Sequence, residues 1–274
     1  MDLQIKKCIT ANPQLPVPRV AELLHYNHSL TYVLLNLQLL EEEMDKLGEE
    51  TAAVSHLSEE ELVQFDKFAS PKRKREWLGG RFAAKHATAK LLERTKSQDN
   101  DMHWSGYIIM ADKNGRPFLS ANKRNPENTC DISISHSASM AAAMAVNKGY
   151  CGVDIQQVSP QVIKVRERFC TNKEKKILQD FFSVEPEEQA VPLTKLWAAK
   201  EALRKASFLD SLPGFLELKL IEITAAPLQK NAGLWGFIFN CKNPAGSTHD
   251  ICRVAVSPIE DYVLALTVRD DTVN

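Results

Sequence analysis

Gly152-Val153-Asp154-Ile155, read with Trp197-Ala198-Ala199-Lys200-Glu201-Ala202-Leu203-Arg204-Lys205, decides the fold. In the first stretch an acid sits between β-branched residues. Side chains alternate along a strand, so Val153 and Ile155 share one face and Asp154 takes the other. In the second stretch Glu201 and Lys205 lie four apart on one helical face, one turn after Trp197. Ala199, Ala202, Leu203 and Ala206 lie on the opposite face. A lone strand acid is usually a solvated side chain. A lone Glu-Lys pair is as readily an ordinary surface pair, worth about 0.2–0.5 kcal/mol, as a functional one. Together they suit Mg²⁺ held against a phosphate, because Mg²⁺ takes oxygen ligands and needs only one or two carboxylates.

Around these motifs the chain punctuates itself. Residues 1–30 contain Pro13, Pro16 and Pro18 without a clear period and read as an N-terminal extension. Residues 31–40 are apolar and β-branched enough for a strand. Ser58 with Glu61 forms a capping box that opens a helix toward Phe68. Ser70-Pro71 opens another, with a good N-cap before a proline at the first helical position. Leu78, Phe82, Ala83, His86 and Leu91 give that helix a buried face. Asn114-Gly115 is a tight-turn signal between strands at 107–110 and 118–119. Ile132 and Ile134 alternate with Ser133 and Ser135, and strands follow at 139–146 and 150–155. Thr171 with Glu174 is a second capping box, and a helix is expected over 193–207. The remainder reads as strands at 218–224, 234–240, 253–257 and 262–268. Helices followed by antiparallel strands, occurring twice, indicate α+β halves. The boundary falls near 149–151. No residue-level repeat stands out.

Composition narrows the function classes. A chain of 274 residues with 44% apolar side chains can bury a sizeable core. Lys and Arg number 34 against 35 Asp and Glu, a net charge of −1 that speaks against a nucleic-acid-coating protein. The six cysteines show no C-x-x-C pair and no zinc-like spacing, which reads as free core thiols in a reducing cytosol. The amino terminus lacks the apolar run of a signal peptide. The most apolar segment, 30–40, is too short for a bilayer and is interrupted by Asn36 and Gln38. A cytoplasmic protein that engages neither membrane nor nucleic acid is expected.

Further landmarks fall in order before the acidic motifs: Arg75 and Arg81 in a basic helix, Gly115-Arg116-Pro117, and Ile134-Ser135-His136-Ser137. Over most of residues 31–270 the chain resembles the 4′-phosphopantetheinyl transferases, in their longer type with two similar halves in one chain. That resemblance implies an α+β fold of two halves related by a pseudo-two-fold, each with helices packed on an antiparallel sheet. It implies an extension at 1–30, a half at 31–150 contacting the coenzyme A nucleotide, and a half at 151–274 carrying metal site and catalytic helix. The implied reaction moves the phosphopantetheine arm of coenzyme A, with Mg²⁺, onto a serine of an apo acyl or peptidyl carrier protein, by a monomer.

Carried over residue by residue, the resemblance makes Asp154 and Glu201 Mg²⁺ ligands, with Glu201, directly or through a water, the base. Lys205 contacts the coenzyme A pyrophosphate and is a candidate leaving-group acid. Lys200 is a further coenzyme A contact at the edge of that face, or else structural. Arg75, Arg81 and Arg116 hold the 3′-phosphate and pyrophosphate, a task that suits a planar donor fork. Ser135 and His136 touch a coenzyme A phosphate. Many family members carry an acid two residues after the strand Asp. Here that position is Gln156, so its amide oxygen or a water completes the metal shell.

Two other classes use the same residues. A non-catalytic module would keep the fold and hold carrier protein or coenzyme A. A Mg²⁺-dependent phosphodiesterase would use the same acids without coenzyme A. A serine hydrolase is excluded for Ser135-His136, because strand neighbours point to opposite faces. No Walker A or G-x-G-x-x-G motif occurs.

Overall fold

The computed structural model describes residues 5–10, 15–48, 56–92, 106–122, 129–183, 188–207, 212–225, 233–242 and 249–269. The chain is α+β and divides into two compact units, exchanging between Gly149 and Tyr150.

The first unit takes residues 28–149 and the opening segment through Asn12. That opening segment carries α1 (Ile5–Cys8) and β1 (Ile9–Thr10). β2 (Leu30–Asn36) ends earlier than the apolar run suggests, because Asn36 turns the chain into α3 (Leu37–Leu47). Its Oδ1 accepts from Gln38 N at 2.9 Å and Leu39 N at 3.2 Å, satisfying amides that the new helix leaves without partners. The expected strand over 31–40 is therefore strand only as far as Asn36 and helix from Leu37. α4 (Glu59–Phe65) begins with the reciprocal Ser58–Glu61 capping box, and α5 runs Pro71–Leu92. β3 (Tyr107–Ala111), β4 (Pro117–Asn122), β5 (Asp131–Ser137) and β6 (Met140–Val146) follow. The antiparallel sheet runs β1-β2-β6-β5-β4-β3. At the β3–β4 turn Gly115 takes φ +82°, a conformation that suits a residue without Cβ, and Asp112 Oδ1 accepts from Asn114 N and Arg116 N.

α5 lies on β6, β2 and β5, and every residue from Leu78 to Ala89 is buried. Gly79 and Gly80 permit that approach, since an added Cβ would sit 2.2 Å from Leu37 Cδ2 and 2.9 Å from Ile134 Cγ2 respectively.

The second unit holds residues 150–274 with 13–27. β7 (Tyr150–Gln157) leads to the short α6 (Gln161–Val165), then α7 (Asn172–Phe182) behind the Thr171–Glu174 capping box, then α8 (Ala190–Lys205). β8 (Lys219–Ala225), β9 (Trp235–Lys242), β10 (His249–Ile259) and β11 (Tyr262–Arg269) complete an antiparallel sheet in the order β7-β11-β10-β9-β8. α8 covers β7, β11 and β10. Beneath it sit Phe237, Phe239, Val254, Val256, Val263 and Ala265, each fully buried large side chain contributing about 1.5–3 kcal/mol.

The opposite face of this sheet is covered by α2 (Val17–Leu24), with Leu23 Cδ2 3.3 Å from where a Cβ on Gly236 would lie. Residues 1–30 are thus no separate extension. Val20 and Leu24 are buried, one helical turn apart, and the segment is shared between the units. The cysteines among the described residues are free, and all but Cys130 are buried.

Candidate functional site

Asp154 faces α8. Gly152 lies two residues earlier on the same strand face, and a Cβ there would stand 1.9 Å from Ala202 O, so α8 presses directly on β7 at that point. The helix covers Asp154 to 5% exposure, which overturns the solvated-acid reading of the strand. A buried carboxylate needs a cation or donors. Lys205 supplies them from the last turn of α8, with Nζ 2.8 Å from Asp154 Oδ1 and donating to Val153 O at 3.0 Å.

Glu201 stands one turn before Lys205 on α8 and is half-buried, with Arg204 Nη1 3.5 Å from its Oε1. Burial pushes its carboxyl above the usual range, and the Asp154 charge pushes the same way. Lys205 and Arg204 oppose them. The two carboxylates are therefore close enough to repel, and a dication relieves such repulsion. Gln156 shares the Asp154 face of β7 and pairs with Val263. Among the described residues no group of three or more His, Cys, Asp or Glu side chains gathers into a metal cage. Carboxylate and amide oxygens are donors of the kind that Mg²⁺ takes beside water and phosphate, so the chemistry of these three side chains fits that ion.

Lys200 is placed elsewhere. It is fully buried, 2.7 Å from Glu174 Oε1, and donates to Phe169 O at 2.7 Å and Phe215 O at 3.0 Å. An ammonium has three donors, and all three are taken. The sequence pattern leaves Lys200 between ligand contact and structural residue, and this geometry offers no donor to a ligand.

The residues expected from the first unit occupy one helix and two strands. His136 on β5 shares the α5 face with Ile134, and its Nδ1 is 3.9 Å from Glu76 Oε2 on α5. Lys72 stands 3.8 Å from the other Glu76 oxygen. Ser135 is buried on the opposite face of β5. Arg75 pairs with Glu41, and Arg116 Nη2 with Asp131 Oδ2 at 2.6 Å. Arg81 is buried with its guanidinium 4.8 Å over the Trp77 ring.

Sequence reasoning missed Arg204, which flanks Glu201, donates to Pro213 O at 3.0 Å and lies 4.4 Å over the Phe215 ring. It also missed Glu76. Glu174 was legible as a capping residue but not as the partner of Lys200. Both Glu76 and Lys200 act across elements, which periodicity cannot reveal.

A model of the 4′-phosphopantetheinyl transferase superfamily matches residues 150–267, the segment that holds Asp154, Glu201 and Lys205. A holo-[acyl-carrier-protein] synthase of Geobacillus sp. (strain WCH70) is 40% identical over 90 residues, 33% of this chain and 71% of that protein. The chain belongs to the 4′-phosphopantetheinyl transferase superfamily. It is an enzyme of the phosphopantetheinyl transferase type. A second relative with the same description, from Listeria monocytogenes serotype 4b (strain CLIP80459), is 36% identical over 90 residues, 33% of this chain and 73% of its own length. Among solved structures, the holo-[acyl-carrier-protein] synthase of Neisseria meningitidis is similar at 22% identity and TM-score 0.36, over 43% of this chain and 94% of that one. No described helix is long and apolar enough to cross a membrane.

Proposed function

We propose that this enzyme transfers the 4′-phosphopantetheine arm of coenzyme A to a serine hydroxyl of an apo acyl or peptidyl carrier protein. The reaction depends on Mg²⁺ and releases adenosine 3′,5′-bisphosphate. The observation that carries the reading is the Asp154–Lys205–Glu201 cluster, built by one strand and one helix inside the family-matched segment.

In this reading Asp154, Glu201 and Gln156, or a water held by Gln156, would hold Mg²⁺. When bound, Mg²⁺ neutralises pyrophosphate charge and stabilises the departing oxygen. Glu201 takes the serine proton, directly or through one water. The serine Oγ bonds to the β-phosphorus of coenzyme A as the bond from that phosphorus to the bridging pyrophosphate oxygen breaks in line. Lys205 turns its ammonium from Asp154 to the pyrophosphate and donates to the leaving oxygen. Little covalent help is needed, since phosphoryl transfer is mostly positioning and charge neutralisation.

We assign the coenzyme A phosphates to Arg75, Arg81, Arg116, Ser135 and His136 of the first unit. Arg75 pairs with Glu41 and Arg116 with Asp131, and a phosphate offers a guanidinium two acceptors in one plane. The active species is proposed to be a cytoplasmic monomer. Incubation with coenzyme A, Mg²⁺ and a panel of apo carrier proteins, read by intact mass, tests the function. The phosphopantetheine mass should appear only when all three are present, and no mass gain on any carrier overturns the reading.

A further inference from the structure

Two buried ion pairs in this chain are built to one plan. In the first unit Lys85 Nζ meets Glu61 Oε2 at 2.6 Å, both side chains fully buried. In the second, Lys200 meets Glu174 at 2.7 Å with the same burial. Each glutamate closes a capping box, on Ser58 or Thr171. Each also accepts from a strand amide: Ile109 N at 3.1 Å or Leu220 N at 2.9 Å. Each lysine donates to the carbonyl two residues before the N-cap, His56 O at 2.9 Å or Phe169 O at 2.7 Å. One device thus ties the long helix of a unit to the start of its short helix and to one strand of its sheet.

Both lysines are fully buried and donate inward to carbonyls of their own unit, so the device belongs to the fold rather than to ligand binding. The second-unit copy carries an extra tie. Lys200 also holds Phe215 O, and the same loop is held by Arg204 through Pro213 O and by Trp197 stacked 4.8 Å from Phe215. Lys200 is the immediate neighbour of Glu201 and lies little more than one turn before Lys205. We propose that the Lys200–Glu174 pair is a positioning element, which fixes the rotation and height of α8 so that Glu201 and Lys205 meet Asp154. Lys200 then touches neither coenzyme A nor metal. The inference rests on the transfer reading given above.

Lys200→Met and Lys85→Met, each compared with wild type in the carrier-modification assay, test it. Breaking a buried pair leaves one charge without a partner, so both variants should lose roughly 6–20 °C of Tm. Assayed below that temperature, only Lys200→Met should lose kcat, by about 10²-fold for a shift of the reacting groups near 1 Å. Its KM for coenzyme A should stay within about twofold. Glu174→Gln preserves volume and keeps one acceptor oxygen, enough for either the Thr171 or the Leu220 amide, and should repeat that kcat pattern if Lys200→Met does not fold. A tenfold rise in KM at steady kcat would make Lys200 a ligand contact and overturn the proposal. Unchanged kcat and KM in the folded variants would leave the pair purely structural and overturn it equally. A wild type that transfers nothing removes the function and this inference together, whereas a wild type that turns over lets the variants test the pair by itself.

Discussion

Thr31 in the first unit and Gly152 in the second meet their long helices at matching points. Thr31 Oγ1 donates to Ala87 O at 2.8 Å, and Gly152 packs against Ala202 O. From that match the rest follows: Val33 answers to Asp154, His86 to Glu201 and Lys90 to Lys205. The sheet orders β2-β6-β5-β4-β3 and β7-β11-β10-β9-β8 correspond strand by strand. The buried Lys-Glu pairs correspond too. What differs is charge. The first unit has an apolar residue for the strand acid and a histidine that burial holds neutral, its pKa pushed down to about 3, with Lys90 and Lys6 acting the same way. The second unit has two acids and a lysine paired with one of them. A shared scaffold therefore does not confer chemistry. Burial and the Asp154 charge disfavour the ionised Glu201 carboxylate, and a bound cation would offset that cost.

The largest expected effect breaks this comparison at its charged residues. Asp154→Ala or Glu201→Ala should cut transfer about 100-fold or more, roughly 2.7 kcal/mol of barrier. Val33→Ala and His86→Gln, at the matching places, should leave kcat per folded enzyme within a few-fold, although Val33→Ala loses some stability as a buried truncation. Intact-mass time courses on all four variants decide it. A first-unit variant as damaging as its second-unit counterpart would show that both places serve the reaction.

A second contrast concerns close packing. The Cβ of Gly152→Ala would meet backbone at 1.9 Å, whereas that of Gly79→Ala would meet the end of the Leu37 side chain at 2.2 Å. A side chain can rotate away, but a helix backbone must move as a whole. Gly152→Ala should therefore displace α8 from β7, lowering Tm and activity together. Gly79→Ala should cost only about 1–3 kcal/mol as overpacking, with kcat retained. Thermal melts beside the transfer assay separate them. An equal Tm loss for both would mean that α8 yields as easily as a leucine.

Much of this scaffold was legible. Both capping boxes, the Asn114-Gly115 hairpin, the Pro71 helix start and the strands of the second half are local patterns, set by neighbours within a few residues. Glu201 and Lys205 were legible as one helical face because a helix presents side chains periodically, whereas their link with Asp154 came only from the resemblance. The internal correspondence went unread although one stretch of it is local: Ala83, Ala84, Lys85, Ala87 and Lys90 match Ala198, Ala199, Lys200, Ala202 and Lys205 at the same spacing. The Glu61/Glu174 match lies outside that stretch, at a different distance along the chain from each long helix. Burial of two lysines also runs against the usual expectation for that residue. The α2 docking was missed because three prolines obscured a single turn of apolar spacing, Val20 to Leu24.

Lys195 distinguishes the units more gently. It lies on α8 between the rings of Phe182 and Trp235, 4.1 and 3.9 Å from their centroids, and burial pushes its ammonium down to about 8. Between that value and the ordinary 10.5 the unfolded chain binds the extra proton. Folding stability should therefore rise with pH across this window, and the full penalty applies below about 8. Lys195→Met should flatten the rise in a Tm-versus-pH series. An unchanged slope would show that the two ring faces hold the charge against burial.

The smallest expected effect sharpens the comparison inside the site itself. Gln156 lies on the Asp154 face of β7, two residues along, at the place where many family members carry a third acid. If its amide oxygen, or a water it holds, completes the Mg²⁺ shell, the site has one negative charge fewer than a three-acid site. Fixed carboxylates supply much of the pull on a dication, so that site should bind Mg²⁺ more weakly. Gln156→Glu should then keep kcat and lower the Mg²⁺ concentration for half-maximal rate. A Mg²⁺ titration of both proteins with one carrier reads the shift. A side chain that only satisfies a neighbouring backbone group would give superimposable curves. A fall in kcat would instead place the new carboxylate in competition with Asp154 for Lys205, whose ammonium already stands 2.8 Å from that acid.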